Sequence, residues 1–246
     1  MLRESAWERS FAPLPGTSAE VEAIAALFGE RDPAAGTHTV LSGKQASRQQ
    51  LSQAATRARW LHLATHGWFA PESVRSLSDP DPLDRSLSAL QRISREEVIR
   101  GTSPMLLCGL ALTGANRPPD ELGRIAGILT AAEIATWDLS ACELAVLSAC
   151  DTNVGVTRAG QGVASLQMAL HMAGARSVIT SLWKVPDEAT RELMVDFYRR
   201  LWLGGRTKSR ALWEAKMNLR AARDPQGRLL YAPRDWAGWV LSGEPD

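Results

Sequence analysis

Short apolar runs closed by polar or turn-forming residues alternate along this chain with stretches of helical period. The run 144–152 (LAVLSACDT) stays apolar almost to Cys150 and then breaks into turn formers. A run of that length suits a strand buried on both faces of a parallel sheet. Residues 60–67 (WLHLATHG) end in the same manner, in His66 followed by Gly67. Residues 105–112 (MLLCGLAL) and 177–183 (SVITSLW) are further buried runs, and 37–41 predicts a short β-branched strand. Between them, Val21, Ile24, Ala25 and Phe28 share one face of a helix over 18–28, with Thr17 or Ser18 as its cap. Ser47 opens a second helix, and Thr130 with Glu133 three residues on predicts a capping box for a helix over 129–137. Gly155, Gly160 and Gly162 predict a loop after Cys150, then a helix running to about Ala173 that Gly174 terminates. Pro186 and Asp187 open a helix in which Leu193, Phe197 and Leu201 recur every four residues. Thr207 opens another, with Leu212, Ala215, Leu219 and Ala222 on one face, and 236–241 closes the chain as a strand or clasp. Strands alternating with helices predict an α/β fold with a mostly parallel sheet, as a single domain over 1–246.

Composition narrows the class of protein. The chain has 246 residues, 45% hydrophobic and 22% charged, enough to bury a sizeable core. A net charge of +1 writes in no strong attraction to nucleic acid or anionic membrane, so neither is expected as a partner. No apolar stretch approaches the length of a membrane span, and residues 1–5 lack a signal-peptide core, so a cytoplasmic location is expected. Three cysteines without CxxC spacing argue against a disulfide framework and a zinc site. Gly160, Gln161 and Gly162 precede a helix but lack the lysine of a phosphate loop, and there is no GxSxG elbow. No cofactor or metal is expected.

The strand ends carry the candidate chemistry. In parallel sheets the carboxyl ends of the strands open onto the ligand crevice. One strand would deliver His66 there and another Cys150, the parts of a Cys/His nucleophilic site. Cys108 and Cys142 read as packed small hydrophobes. His62 reads as a satisfied structural histidine or a group supporting His66, and His171 as a core or surface residue.

Residues 11–24 (FAPLPGTSAEVEAI), 61–67 (LHLATHG), 127–134 (GILTAAEI), 144–152, 160–190 and 236–244 (WAGWVLSGE) together resemble the CHAT domain, a caspase-like cysteine peptidase module of clan CD. The resemblance covers nearly the whole chain. It implies a caspase-like three-layer sandwich, a mostly parallel central sheet flanked by helices. It also implies a cysteine endopeptidase whose catalytic positions are His66 and Cys150, a dyad with no third residue named. The backbone N–H groups of Gly67 and Cys150 would form the oxyanion hole. The strand 178–183 is expected to offer an edge to an extended peptide, with Ser181 and Trp183 as substrate-binding residues. Asp151 would favour a basic residue before the scissile bond, or serves as a turn residue after the strand.

The expected partner is a protein or peptide substrate in a bacterial signalling, defence or cell-death pathway, with a tetratricopeptide-repeat or other regulatory protein beside it. A catalytically silent scaffold and thiol hydrolysis of small amides or acyl groups are the alternatives. Gln161 stands where the family more often has Glu, and the family's first strand has little room in residues 1–10. Three outcomes are expected there: another chain or segment fills the vacated edge, the chain is a fragment of a longer protein, or a strand around Val240 closes the sheet.

Overall fold

The computed structural model describes residues 11–31, 38–69, 104–121, 125–148 and 156–246. In chain order these form α1 (Pro15–Arg31), α2 (Arg48–Ala55), β1 (Trp60–Ala64), β2 (His66–Phe69), β3 (Cys108–Ala111) and β4 (Ile128–Thr130). They continue with α3 (Ala131–Ile134), β5 (Leu144–Ser148), α4 (Val156–Met172), β6 (Ser177–Ser181), α5 (Asp187–Trp202), α6 (Lys208–Ala221), α7 (Pro233–Trp236) and β7 (Trp239–Gly243).

The central sheet has the order β1-β5-β6-β7. Its first three strands are parallel, and β7 runs antiparallel against β6. Both faces of these strands are covered, which explains why β5 and β6 are buried at every position without alternation. On one face Leu61, Leu63, Ala145, Leu147 and Val178 pack with Leu51 of α2, Ile134 of α3, and Leu166 and Leu170 of α4. On the other, Leu144, Val146 and Ile179 pack with Ile24 and Leu27 of α1, Leu193 and Phe197 of α5, and Leu212 of α6. The result is the helix–sheet–helix sandwich of caspase-like proteins.

Immediately after β1 the chain leaves this sheet. β2 begins at His66 and joins a second, antiparallel sheet of order β2-β3-β4. The run 105–112 therefore splits into a short turn of 3-10 helix at Pro104–Leu106 and β3, which lies in this smaller sheet. Gly109 permits the β3–β4 approach, since a Cβ there would meet the Leu129 carbonyl oxygen at 2.1 Å.

Local signals hold where the partners are near in sequence. Ser47 and Thr207 cap α2 and α6 by accepting from the N–H groups of Gln50 and Arg210. Thr130 and Glu133 form the capping box of α3, although the helix ends at Ile134 rather than Trp137. Gly174 ends α4 at φ +109°, a conformation glycine adopts without penalty.

Other expectations are corrected. α1 starts at Pro15, whose fixed φ suits a first helical position, so Thr17 lies inside the helix and bonds the Leu14 carbonyl instead. α4 begins at Val156, so Gly160 and Gly162 are helical rather than in a loop. Each glycine costs only about 1 kcal/mol in a helix, less than α4 gains by burying Leu166 and Leu170. Residues 38–42 form no strand. Residues around Val240 do enter the sheet, but beside β6. Among the described residues β1 has β5 as its one neighbour. Residues 1–10 lie outside the described residues.

Candidate active site

His66 stands at the point where the chain passes from one sheet to the other. It pairs with Ala111 across β2 and β3, and Thr65 before it donates its hydroxyl to the Ala111 carbonyl at 2.5 Å. The residue is 7% exposed. Its Nε2 lies 2.6 Å from the carbonyl oxygen of Ala12, and its ring centroid is 5.4 Å from that of Phe11. A carbonyl only accepts, so Nε2 carries a hydrogen and the proton-accepting nitrogen of the neutral ring is Nδ1. The tethering segment is itself fixed. Asn116 accepts from the Phe11 N–H at 2.8 Å and donates to the Phe11 carbonyl at 3.0 Å. Sequence reasoning named no third partner for His66, and a main-chain carbonyl carries no residue signature that could have revealed one.

Cys150 and Asp151 lie outside the described residues. The last described positions on the two strands are in register, Ala64 opposite Ser148, and His66 and Cys150 each follow two residues later. Gly67 is buried in β2 opposite Leu110.

The expected free edge over 178–183 is absent. Residues 178–180 pair with β5, all of β6 pairs with β7, and the strand stops at Ser181. Ser181 is 3% exposed and donates its hydroxyl to the Trp183 carbonyl at 2.6 Å, which folds the chain back as it leaves the sheet. Leu182 and Trp183 follow, 48% and 39% exposed, and Trp183 Nε1 donates to the Arg234 carbonyl at 2.7 Å. They sit past the carboxyl end of β6, on the side of the sheet where β1 gives way to His66.

Behind this rim is a buried polar chain that periodicity did not reveal. Glu20 of α1 is 2% exposed. One of its oxygens is 3.0 Å from His62 Nε2 and the other accepts from the Ser148 hydroxyl at 3.3 Å. His62 Nδ1 is 3.2 Å from the hydroxyl of Tyr198 in α5. Burial, together with the charge of Glu20, pushes the Tyr198 hydroxyl well above its ordinary value, so it keeps its proton and donates. His62 is thus a histidine satisfied at both ring nitrogens, spanning Tyr198 and Glu20.

The other thiols are unsuited to nucleophilic work. Burial pushes Cys108 up to about 12 and Cys142 up to about 11. His171 bridges the Ala175 carbonyl and the Ser242 hydroxyl, a structural role. Among the described residues no cluster of His, Cys, Asp or Glu could hold a metal ion. Nor is any described helix long and apolar enough to cross a membrane.

A mostly parallel sheet between helical layers is consistent with a caspase-like fold. The CHAT domain family model matches residues 2–244, and the chain belongs to that family, which is related to the clan CD peptidases. It is 27% identical over 247 residues to tetratricopeptide repeat protein 28 of Homo sapiens and 26% identical to that of Mus musculus, each match covering 95% of this chain. The chain spans only 8% and 9% of those relatives' lengths.

Proposed function

We propose that this chain is a cysteine endopeptidase in which His66 and Cys150 form the catalytic dyad. The observation that carries the reading is the 2.6 Å tether of His66 Nε2 to the Ala12 carbonyl, which orients the ring and makes Nδ1 the base. His66 Nδ1 takes the proton of the Cys150 thiol, and the thiolate attacks the scissile carbonyl. The N–H groups of Gly67 and Cys150 stabilise the resulting oxyanion. As the carbon–nitrogen bond breaks, His66 returns the proton to the leaving amine, and water then hydrolyses the thioester. The peptide lies along the exposed Leu182 and Trp183, whose approach to the sheet Ser181 fixes, and Asp151 favours a basic residue before the scissile bond. The substrate is a partner protein in the cytoplasm.

A non-catalytic binding role is the competing reading, favoured by the relatives' name. Both are called tetratricopeptide repeat proteins, and repeat arrays present extended binding surfaces. A peptide-based probe with a cysteine-reactive warhead separates the two. The catalytic reading expects labelling at Cys150 that Cys150→Ala and His66→Ala both abolish while circular dichroism is unchanged. Labelling at wild-type rate in His66→Ala would refute it.

A further inference from the structure

The two hydrogen bonds between Asn116 and Phe11 join segments 105 residues apart. One side-chain amide meets both the donor and the acceptor of a single residue, as a paired strand would, and so fixes the Phe11 backbone. The hold continues into the next residue. Ala12 precedes Pro13, which keeps it out of the helical region and limits where its carbonyl points. That carbonyl accepts from His66 Nε2 at 2.6 Å. The Phe11 side chain packs against the cluster of Trp68, Ala111, Ala115, Ile125 and Ile128.

Asn116 is placed by the strand that also places His66. It lies just beyond Ala111, the residue paired with His66 across β2 and β3. Its turn is closed by bonds from the Ala115 N–H to the Leu112 carbonyl and from the Arg117 N–H to the Gly114 carbonyl, both 3.0 Å. The turn is pressed against Gly127, where a Cβ would meet the Ala115 nitrogen at 2.0 Å. β3 and its turn therefore hold the His66 backbone by register and the tether of its ring by Asn116. Asn116 is itself exposed, so its two bonds add little to stability. What they add is orientation.

We propose that Asn116 is a positioning residue that fixes the Ala12 carbonyl and so keeps His66 in the Nε2–H tautomer with Nδ1 as the base. Its bearing on catalysis rests on the dyad proposed above, whereas its hold on the ring does not.

The test reads the two ring nitrogen signals of His66 by nitrogen-15 NMR at about pH 8.5, above the ordinary imidazole range. His66→Ala identifies them among the four histidines. In wild type, Nε2 is expected at a pyrrole-type shift and Nδ1 at a pyridine-type shift. In Asn116→Ala the two signals should move toward each other as the ring exchanges tautomers, while the amide signals of Gly67 and Leu110 show that β2 and β3 remain paired. Asn116→Asp keeps an acceptor for the Phe11 N–H and loses the donor, so it should move them the same way by less. Arg117→Ala trims the same turn but removes neither bond to Phe11, and should leave them in place. Labelling of Cys150 by the peptide probe should slow by about tenfold or more in Asn116→Ala. Ring signals unmoved in both Asn116 variants, or moved equally by Arg117→Ala, overturn the positioning role. Signals that converge in Asn116→Ala while labelling keeps its wild-type rate support the positioning role and overturn the dyad.

Discussion

Alkylation at pH 8 tests how the three cysteines divide their roles. Cys108 sits in β3, with its thiol donating to the Pro104 carbonyl at 3.5 Å, and Cys142 is fully buried before β5. Burial raises the first from 9.0 to about 12, against a lowering contribution from Ser165, and the second to about 11, against backbone N–H groups of Leu144 and Leu61. A thiol titrating at 9.0 is about one-tenth thiolate at pH 8, one at about 11 is about a thousandth, and one at about 12 about a ten-thousandth. Since the thiolate is the reactive form, ionisation alone slows Cys142 by about a hundredfold and Cys108 by about a thousandfold, before access is counted. Native protein treated with iodoacetamide is therefore expected to gain one carbamidomethyl group, located at Cys150 by peptide mapping. In concentrated guanidinium chloride all three cysteines should react. Native labelling of Cys108 or Cys142 within tenfold of the Cys150 rate would refute the burial argument. The same shifts set an alkaline limit. The folded state keeps protons that the unfolded chain releases above pH 9.0, so this contribution is intact below that pH and fades as it rises toward about 11 and about 12.

Two further outcomes test the framework. Hydrogen bonds from Arg210 and Arg200 hold Glu214 down at about 2, joining α6 to α5. A depressed carboxylate stabilises above its unfolded value of 4.5 and loses that contribution as pH falls toward about 2. Glu214→Gln is expected to lower the melting temperature at neutral pH, with the gap closing below pH 4.5; a gap constant with pH would refute the pairing. Gly109→Ala would put a methyl group 2.1 Å from the Leu129 carbonyl oxygen and 2.8 Å from the Thr130 Cα, backbone atoms that cannot move aside as a side chain would. A loss of about 1–3 kcal/mol in urea unfolding is expected, and an unchanged midpoint would refute the close approach.

Strand β5 was legible because burial on both faces writes a local signature, an apolar run, and β6 because Val178, Ile179 and Thr180 are β-branched. Caps at Ser47, Thr130 and Thr207 were legible because their partners lie three residues away. His66 stood out because it follows an apolar run and precedes a glycine, although in the fold it begins β2 rather than ending β1. The start of α4 did not, since glycines at 160 and 162 weigh toward a loop until the helix is packed. Glu20 was hidden for a related reason. Its helix shows a conventional apolar face, and a lone carboxylate beside it reads as solvated until His62 and Ser148 are brought to meet it.

By itself, then, the amino-acid sequence determined the α/β alternation, the strands β1 and β5, and the caps, all of which depend on neighbours within a turn or a strand. Tertiary structure alone decided that β7 pairs along β6 and removes its edge, and that His66 opens a second sheet. It also decided that the Ala12 carbonyl, 54 residues before it, holds the ring. Those contacts use backbone groups that every residue possesses, so no side-chain pattern could announce them before the chain had folded.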